Sequence, residues 1–185
     1  TKMETAVADT SALVSLGVPS ADATYDLGEH PDPLKYLLTS CSVYVPTEVI
    51  AELEDIAQYA DIHGVAAANV LSASEFYTVE DPYSLEGALD ERPTFGLDDG
   101  ATDGIVLANE FSVDVFLTDE FGSDNFALIH AALAGPRLVP SPRLIRDYVL
   151  DDHLSAEEAK VLIQRIGGHR SWEGNPYVER ILDSF

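Results

Sequence analysis

The chain has 185 residues, 46% of them hydrophobic, which is enough for one compact domain with a core of its own. Only 10 basic residues stand against 33 acidic ones, a formal net charge of −23, so the basic patches by which most nucleic-acid binders neutralise phosphates are excluded. A single cysteine, Cys41, rules out an internal disulfide and a cysteine-built metal cluster.

In chain order, Thr5 to Asp9 is predicted as a short strand, and the hydroxyls of Thr10 and Ser11 suit the start of a helix. Ser20 to His30 is polar and predicted as a loop. Asp32 to Thr39 is predicted as a helix with proline in its first turn. Ser42 to Val45 is a second strand, stopped by Pro46, and Thr47 caps a helix through Tyr59 with Val49, Leu53 and Ile56 on one face. A further helix runs from Ile62 to Ala73, a short strand from Phe76 to Val79, and a long loop from Asp81 to Leu97. Asp98 to Phe111 returns to helical periodicity, and Val113 to Leu117 is a buried-strand run. Asn125 to Leu133 is a helix closed by Gly135. Arg137 to Val139 is the last strand, and Ser141-Pro142 opens another helix.

Short apolar strands separated by helices predict an α/β fold, a parallel sheet covered on both faces. After Leu150 the pattern turns purely helical, with a capping-box spacing at Ser155 and Glu158 and a helix start at Asn175-Pro176. Residues 1–150 are therefore expected to form the main body, and 151–185 a C-terminal helical extension of the same domain.

An acidic, aromatic-poor composition can mean disorder, but regular apolar periodicity runs nearly throughout this chain. The composition is that of a folded protein whose anionic surface needs high salt. At molar salt the Debye length shrinks to roughly 3 Å, and self-repulsion is largely screened. A dedicated acidic surface for a partner is the rival explanation. No apolar run is long enough to cross a bilayer, and the polar N-terminus carries no secretory signal. A reducing, salty cytoplasm is the expected compartment.

In a parallel sheet, ligands bind beyond the carboxyl ends of the strands. Asp9 and Asp119 stand at such ends, and Glu52 and Asp103 lie on helices near them. Four carboxylates converging on one crevice would repel one another unless a divalent cation joined them, and hard oxygen ligands suit Mg²⁺ or Mn²⁺. Such an ion can polarise a phosphodiester and produce hydroxide from water at neutral pH.

Four segments carry a resemblance. Val7-Ala8-Asp9-Thr10-Ser11-Ala12-Leu13 resembles the opening strand of PIN-domain nucleases, and Val45 through Leu53 resembles their second motif, with its acid at Glu52. Asp103-Gly104-Ile105-Val106-Leu107-Ala108 resembles the third, and Phe116-Leu117-Thr118-Asp119 the fourth. The four occur in the family's order between Thr5 and Leu150. The resemblance implies a PIN-like three-layer α/β/α sandwich, and taken with the acidic composition the source is expected to be a halophilic archaeon. The resemblance also implies an endoribonuclease using Mg²⁺ or Mn²⁺, with Asp9, Glu52, Asp103 and Asp119 as catalytic, metal-binding acids and Asp124 as an auxiliary ligand. Many members are toxins of toxin–antitoxin pairs, others process RNA, and members often form homodimers. Two departures stand out. Ala101 occupies a position where some members carry an acid, and Asp119, Glu120 and Asp124 compete for the fourth role.

Each acid also has a plainer reading in so acidic a chain. Asp9 could cap a helix, Asp103 could sit in a helix's first turn for its charge, and Glu48 shares a helix face with Glu52. Asp98 and Asp99 are read as cap and dipole partners. The five histidines show no metal-ligand spacing, Cys41 is read as packing, and Ser11 lacks the Gly-x-Ser-x-Gly elbow. An aspartate-nucleophile phosphatase would need a second aspartate where Ser11 stands. Arg137, Arg143, Arg146, Arg165, Arg170 and Arg180 gather late in the chain, either as the little cationic surface available for phosphates or as internal salt bridges. The alternative to a nuclease is a PIN-like binding or assembly module with weak or lost activity.

Overall fold

Five parallel strands stand in the order β3-β2-β1-β4-β5 in the computed structural model, which describes residues 2–185. The strands are β1 (Thr5–Ala8), β2 (Ser42–Pro46), β3 (Thr78–Glu80), β4 (Val115–Leu117) and β5 (Arg137–Val139). The helices are α1 (Thr10–Ala21), α2 (Pro33–Ser40), α3 (Thr47–Ile56), α4 (Ile62–Ser72), α5 (Asp99–Phe111), α6 (Ser123–Ala132), α7 (Ser141–Leu150), α8 (Ala156–Arg170) and α9 (Pro176–Asp183). The chain therefore folds as the expected α/β/α sandwich around a parallel sheet.

Strand alternation sorts the core into two layers. Ala6, Ala8, Val43, Val45, Val115 and Leu117 face a large cluster that contains Leu13 and Leu16 of α1, Leu53 of α3 and Ile145 of α7. Val7 and Phe116 face the other way, onto Ile105 and Leu107 of α5 and Ile129 of α6. Helix α1 is buried on every side from Ala12 to Pro19, so its sequence is apolar all round rather than striped. It can lie against α4 because Gly17 has no Cβ; one built there would stand 3.0 Å from the Ala66 carbonyl oxygen. The C-terminal extension joins the large cluster through Leu162, Ile163, Ile166, Trp172, Val178 and Ile181.

Several local signals act as expected. Asp32 caps α2 ahead of Pro33, Ser155 and Glu158 form a complete capping box on α8, and Asn175 caps α9. Other details differ. Asp9, not Thr10 or Ser11, caps α1, and α3 begins after Pro46 without a side-chain cap from Thr47 and ends at Ile56. Strand β3 lies two residues later at its start than expected, because Ser74–Phe76 winds into a single 3₁₀ turn. Helix α6 is closed at Leu133, whose extended backbone makes the turn before Gly135 is reached. No helix among the described residues is long and apolar enough to cross a membrane.

The strand order reverses at β1. From there the chain moves outward through β2 and β3 on one side, then returns to place β4 and β5 on the other. The helices leaving β1 and β4 diverge at that point and open a crevice beyond the carboxyl ends of the strands.

Candidate functional site

Asp9 follows β1 directly, where it caps α1 and is almost fully buried. One carboxylate oxygen accepts from the Ala12 amide at 3.0 Å and the Ser11 hydroxyl at 2.7 Å. The other accepts from the Thr118 hydroxyl at 2.5 Å, just beyond β4. Ser11 in turn accepts from the Asp119 amide at 2.9 Å, so the ends of β1 and β4 are stitched together around this acid. Burial pushes the Asp9 carboxyl up to about 7, despite the hydrogen bonds from Thr118, Ala12 and Ser11 that favour its charged form.

Glu52 reaches the same crevice from α3, and accepts from the Thr10 hydroxyl at 2.9 Å. Its carboxylate lies against Gly100 in the first turn of α5; a Cβ there would stand 1.8 Å from Oε1, so any larger residue would push Glu52 from this place. Burial raises this carboxyl to about 7 as well; the Thr10 hydrogen bond opposes the shift, and Asp98, Glu48 and Asp99 add to it. Both carboxyls open onto the same cavity, and burial holds both near neutrality.

Asp9 and Glu52 line a cavity of about 400 Å³ together with Thr10, Ser11, Asp55, Asp98, Ala101, Glu120 and Arg170. Asp98 also caps α5 by accepting from the Ala101 amide at 2.8 Å. Arg170, the last residue of α8, donates from Nε to the Ser15 hydroxyl at 3.0 Å and from Nη2 to the Ser11 carbonyl at 3.3 Å. Burial lowers the Arg170 pKa, while Asp119, Asp9 and Glu120 oppose that shift.

The other expected acids stand elsewhere. Asp103 is buried against the loop between β3 and α5, and does not line the cavity. It accepts from the Tyr83 hydroxyl at 2.5 Å and from Arg92 through Nε at 2.8 Å and Nη2 at 2.9 Å. Arg92 also reaches Asp99 at 3.2 Å and Glu48 at 3.6 Å, so one guanidinium gathers three carboxylates. Asp119 turns inward: its Oδ1 accepts from the Ser141 amide at 2.6 Å, satisfying a donor at the start of α7. Its Oδ2 is buried without a partner, and burial raises this carboxyl too. Asp124 is exposed in the first turn of α6, away from the cavity lining. Around the fourth motif it is Glu120 that faces the cavity.

Among the described residues, no three histidine, cysteine or carboxylate side chains form a group able to hold a metal ion. The hard oxygens of Asp9, Glu52 and Glu120 line one cavity. That set suits Mg²⁺ or Mn²⁺ better than a softer metal, since Mg²⁺ keeps several waters and is commonly held by one or two carboxylates. Asp55 is a pocket residue that the sequence did not mark, and Arg170 was marked only as one of six late arginines that could serve phosphates or internal salt bridges. Asp55 lies three residues beyond Glu52 on α3, a spacing that could have shown it; nothing near Arg170 in sequence points to a site 155 residues earlier. Compared with protein-family models, curated proteins and solved structures, the chain finds no match.

Proposed function

We propose that the chain is a divalent-metal-dependent endoribonuclease of the PIN type. The observation that carries this reading is the meeting of Asp9 and Glu52 at the crevice where the strand order reverses, both carboxyls pushed to about 7. Asp9 and Glu52 would hold Mg²⁺ or Mn²⁺, and the order of the four sequence motifs supports RNA as substrate. Bound there, the ion supplies positive charge to a phosphodiester oxygen and an acidified water for in-line attack. The chain's own groups prepare the site. Thr118, Ser11 and the Ala12 amide fix the orientation of Asp9, while Thr10 and the flat face of Gly100 fix Glu52. Glu120, which lines the same cavity, would take the proton from the attacking water. The ion and molar salt stand in for the missing basic patch, in a salty cytoplasm. A homodimer or an antitoxin partner belongs to the family's pattern rather than to this site.

A binding or assembly module is the second reading. It is favoured by the commitment of Asp103 to Arg92 and of Asp119 to Ser141, and by Ala101 on the cavity wall. Cleavage of a labelled single-stranded RNA pool in molar KCl with Mn²⁺ or Mg²⁺, native protein against Asp9→Asn, separates the two. Metal-dependent cleavage that disappears in the variant is the expected result. No cleavage by folded protein at saturating metal rejects the nuclease reading in favour of the module.

A further inference from the structure

Arg170 is the one cationic side chain among the cavity-lining residues, and it comes from the C-terminal extension. Its guanidinium carries five N–H donors. Two of its nitrogens are anchored on α1, through Ser15 and the Ser11 carbonyl, and Nη1 has no hydrogen bond among the described residues. Arg92 and Arg165 each have a carboxylate within ion-pair distance; Arg170 has none among the described residues. The guanidinium is partly buried, and Asp119, Asp9 and Glu120 favour its charge without touching it, so its remaining donors face the cavity free to take an entering anion.

The end of α8 is held in place independently of this side chain. Trp172, buried just beyond it, donates its backbone N–H to the Gly167 carbonyl at 3.0 Å and packs edge-on against Phe121, 5.7 Å between centroids. Phe121 directly follows Glu120, so the residues that carry Arg170 are fastened to the same loop that brings Glu120 to the cavity.

We propose that Arg170 receives the non-bridging phosphate oxygens of the RNA strand, positioning the phosphodiester against the carboxylate pair formed by Asp9 and Glu52. This rests on the nuclease reading for its substrate, and it gives the C-terminal extension a direct part in binding. A planar fork of donors suits two phosphate oxygens at once, which an ammonium does not. The bland role for Arg170 is to stabilise its own helix end and the Ser11–Ser15 turn of α1.

The test uses Arg170→Gln and Arg170→Lys in the full chain in molar KCl, with melting curves to establish folding. In steady-state cleavage with Mn²⁺, both variants should raise KM by roughly ten- to a hundredfold, with a smaller change in kcat and an unaltered Mn²⁺ dependence. A second readout is fluorescence anisotropy of a labelled single-stranded RNA on the inactive Asp9→Asn protein, where adding Arg170→Gln should weaken binding by a similar factor. Native cleavage with unchanged KM and RNA affinity in the folded variants overturns the role of Arg170 and leaves the nuclease standing. If Arg170→Gln does not fold, unchanged values in Arg170→Lys overturn it equally. No native cleavage, together with Arg170-dependent RNA binding, removes the nuclease and supports the phosphate site.

Discussion

Replacing Asp9 by asparagine should make the metal-stripped protein more stable near neutral pH. Asp9 is 3% exposed, and its carboxyl is lifted from the ordinary 3.8 to about 7. Each pKa unit is worth about 1.4 kcal/mol, so full ionisation of the folded protein costs about 4 kcal/mol relative to the unfolded chain. The sign follows from proton counts. Between the unfolded and folded pKa values the native state holds the extra proton, so stability falls as pH rises through about 4 to 7 and stays low above that. Asparagine keeps the shape and the helix cap but never ionises. Urea unfolding in molar KCl with EDTA, at about pH 5 and about pH 8, measures both proteins across this range. Part of that cost is already present at about pH 5, so the native protein should lose about 2.5 kcal/mol between the two pH values beyond any loss in Asp9→Asn. Carboxylates that do not interact with Asp9 contribute equally to both proteins, so the difference reports Asp9 together with its coupling to Asp119. Equal pH dependence in the two proteins, or a variant less stable at the higher pH, would refute the claim that Asp9 is held ionised against its burial.

Gly100→Ala should separate function from stability. The new methyl group displaces the Glu52 carboxylate and its hydrogen bond from Thr10, at about 1 kcal/mol, while alanine returns up to about 1 kcal/mol of helix propensity. Melting in molar KCl should therefore barely change, whereas Mn²⁺-dependent cleavage should drop at least about tenfold; unchanged cleavage would show that Glu52 needs no such seat. Arg92→Gln should destabilise by about 3 kcal/mol, because it leaves Asp103 buried with only Tyr83 beside it. A loss below about 1 kcal/mol in urea unfolding would mean that this pair behaves as a solvated surface contact.

The strands and their parallel arrangement were legible because each strand is a short apolar run cut off by polar residues. Asp9 was legible for the same reason, standing where the first run stops. The helix acids were harder to place. At about 100° per residue, Ala101 and Asp103 point about 200° apart, so one helix turn cannot put both into the crevice. A motif that names Asp103 does not say which side of α5 faces the sheet's edge, and Ala101 holds that side. Nor does periodicity reach across the long loop to Arg92, whose pairing with Asp103 depends on where that loop folds back. Just past β4, successive residues point to alternate sides, so Asp119 turns in towards Ser141 while Glu120 turns out into the cavity. The acidic composition obscured the rest, since an acid at any one position of so acidic a chain carries little information.

The central place of β1 sets a timetable for biosynthesis. Its partner β2 pairs Ala6 with Val43, but its other partner β4 pairs Ala6 with Val115, more than a hundred residues later. A ribosome releases a nearly complete half-sheet of β1, β2 and β3 by Glu80, with one edge of β1 still bare. At about 5–20 residues per second, the roughly 35 residues up to Val115 take roughly 2–7 s to be made. For that interval the nascent chain carries an open parallel edge at the very strand that ends in Asp9, and only the arrival of β4 covers that edge and brings the hydrogen bond from Thr118 that completes the site.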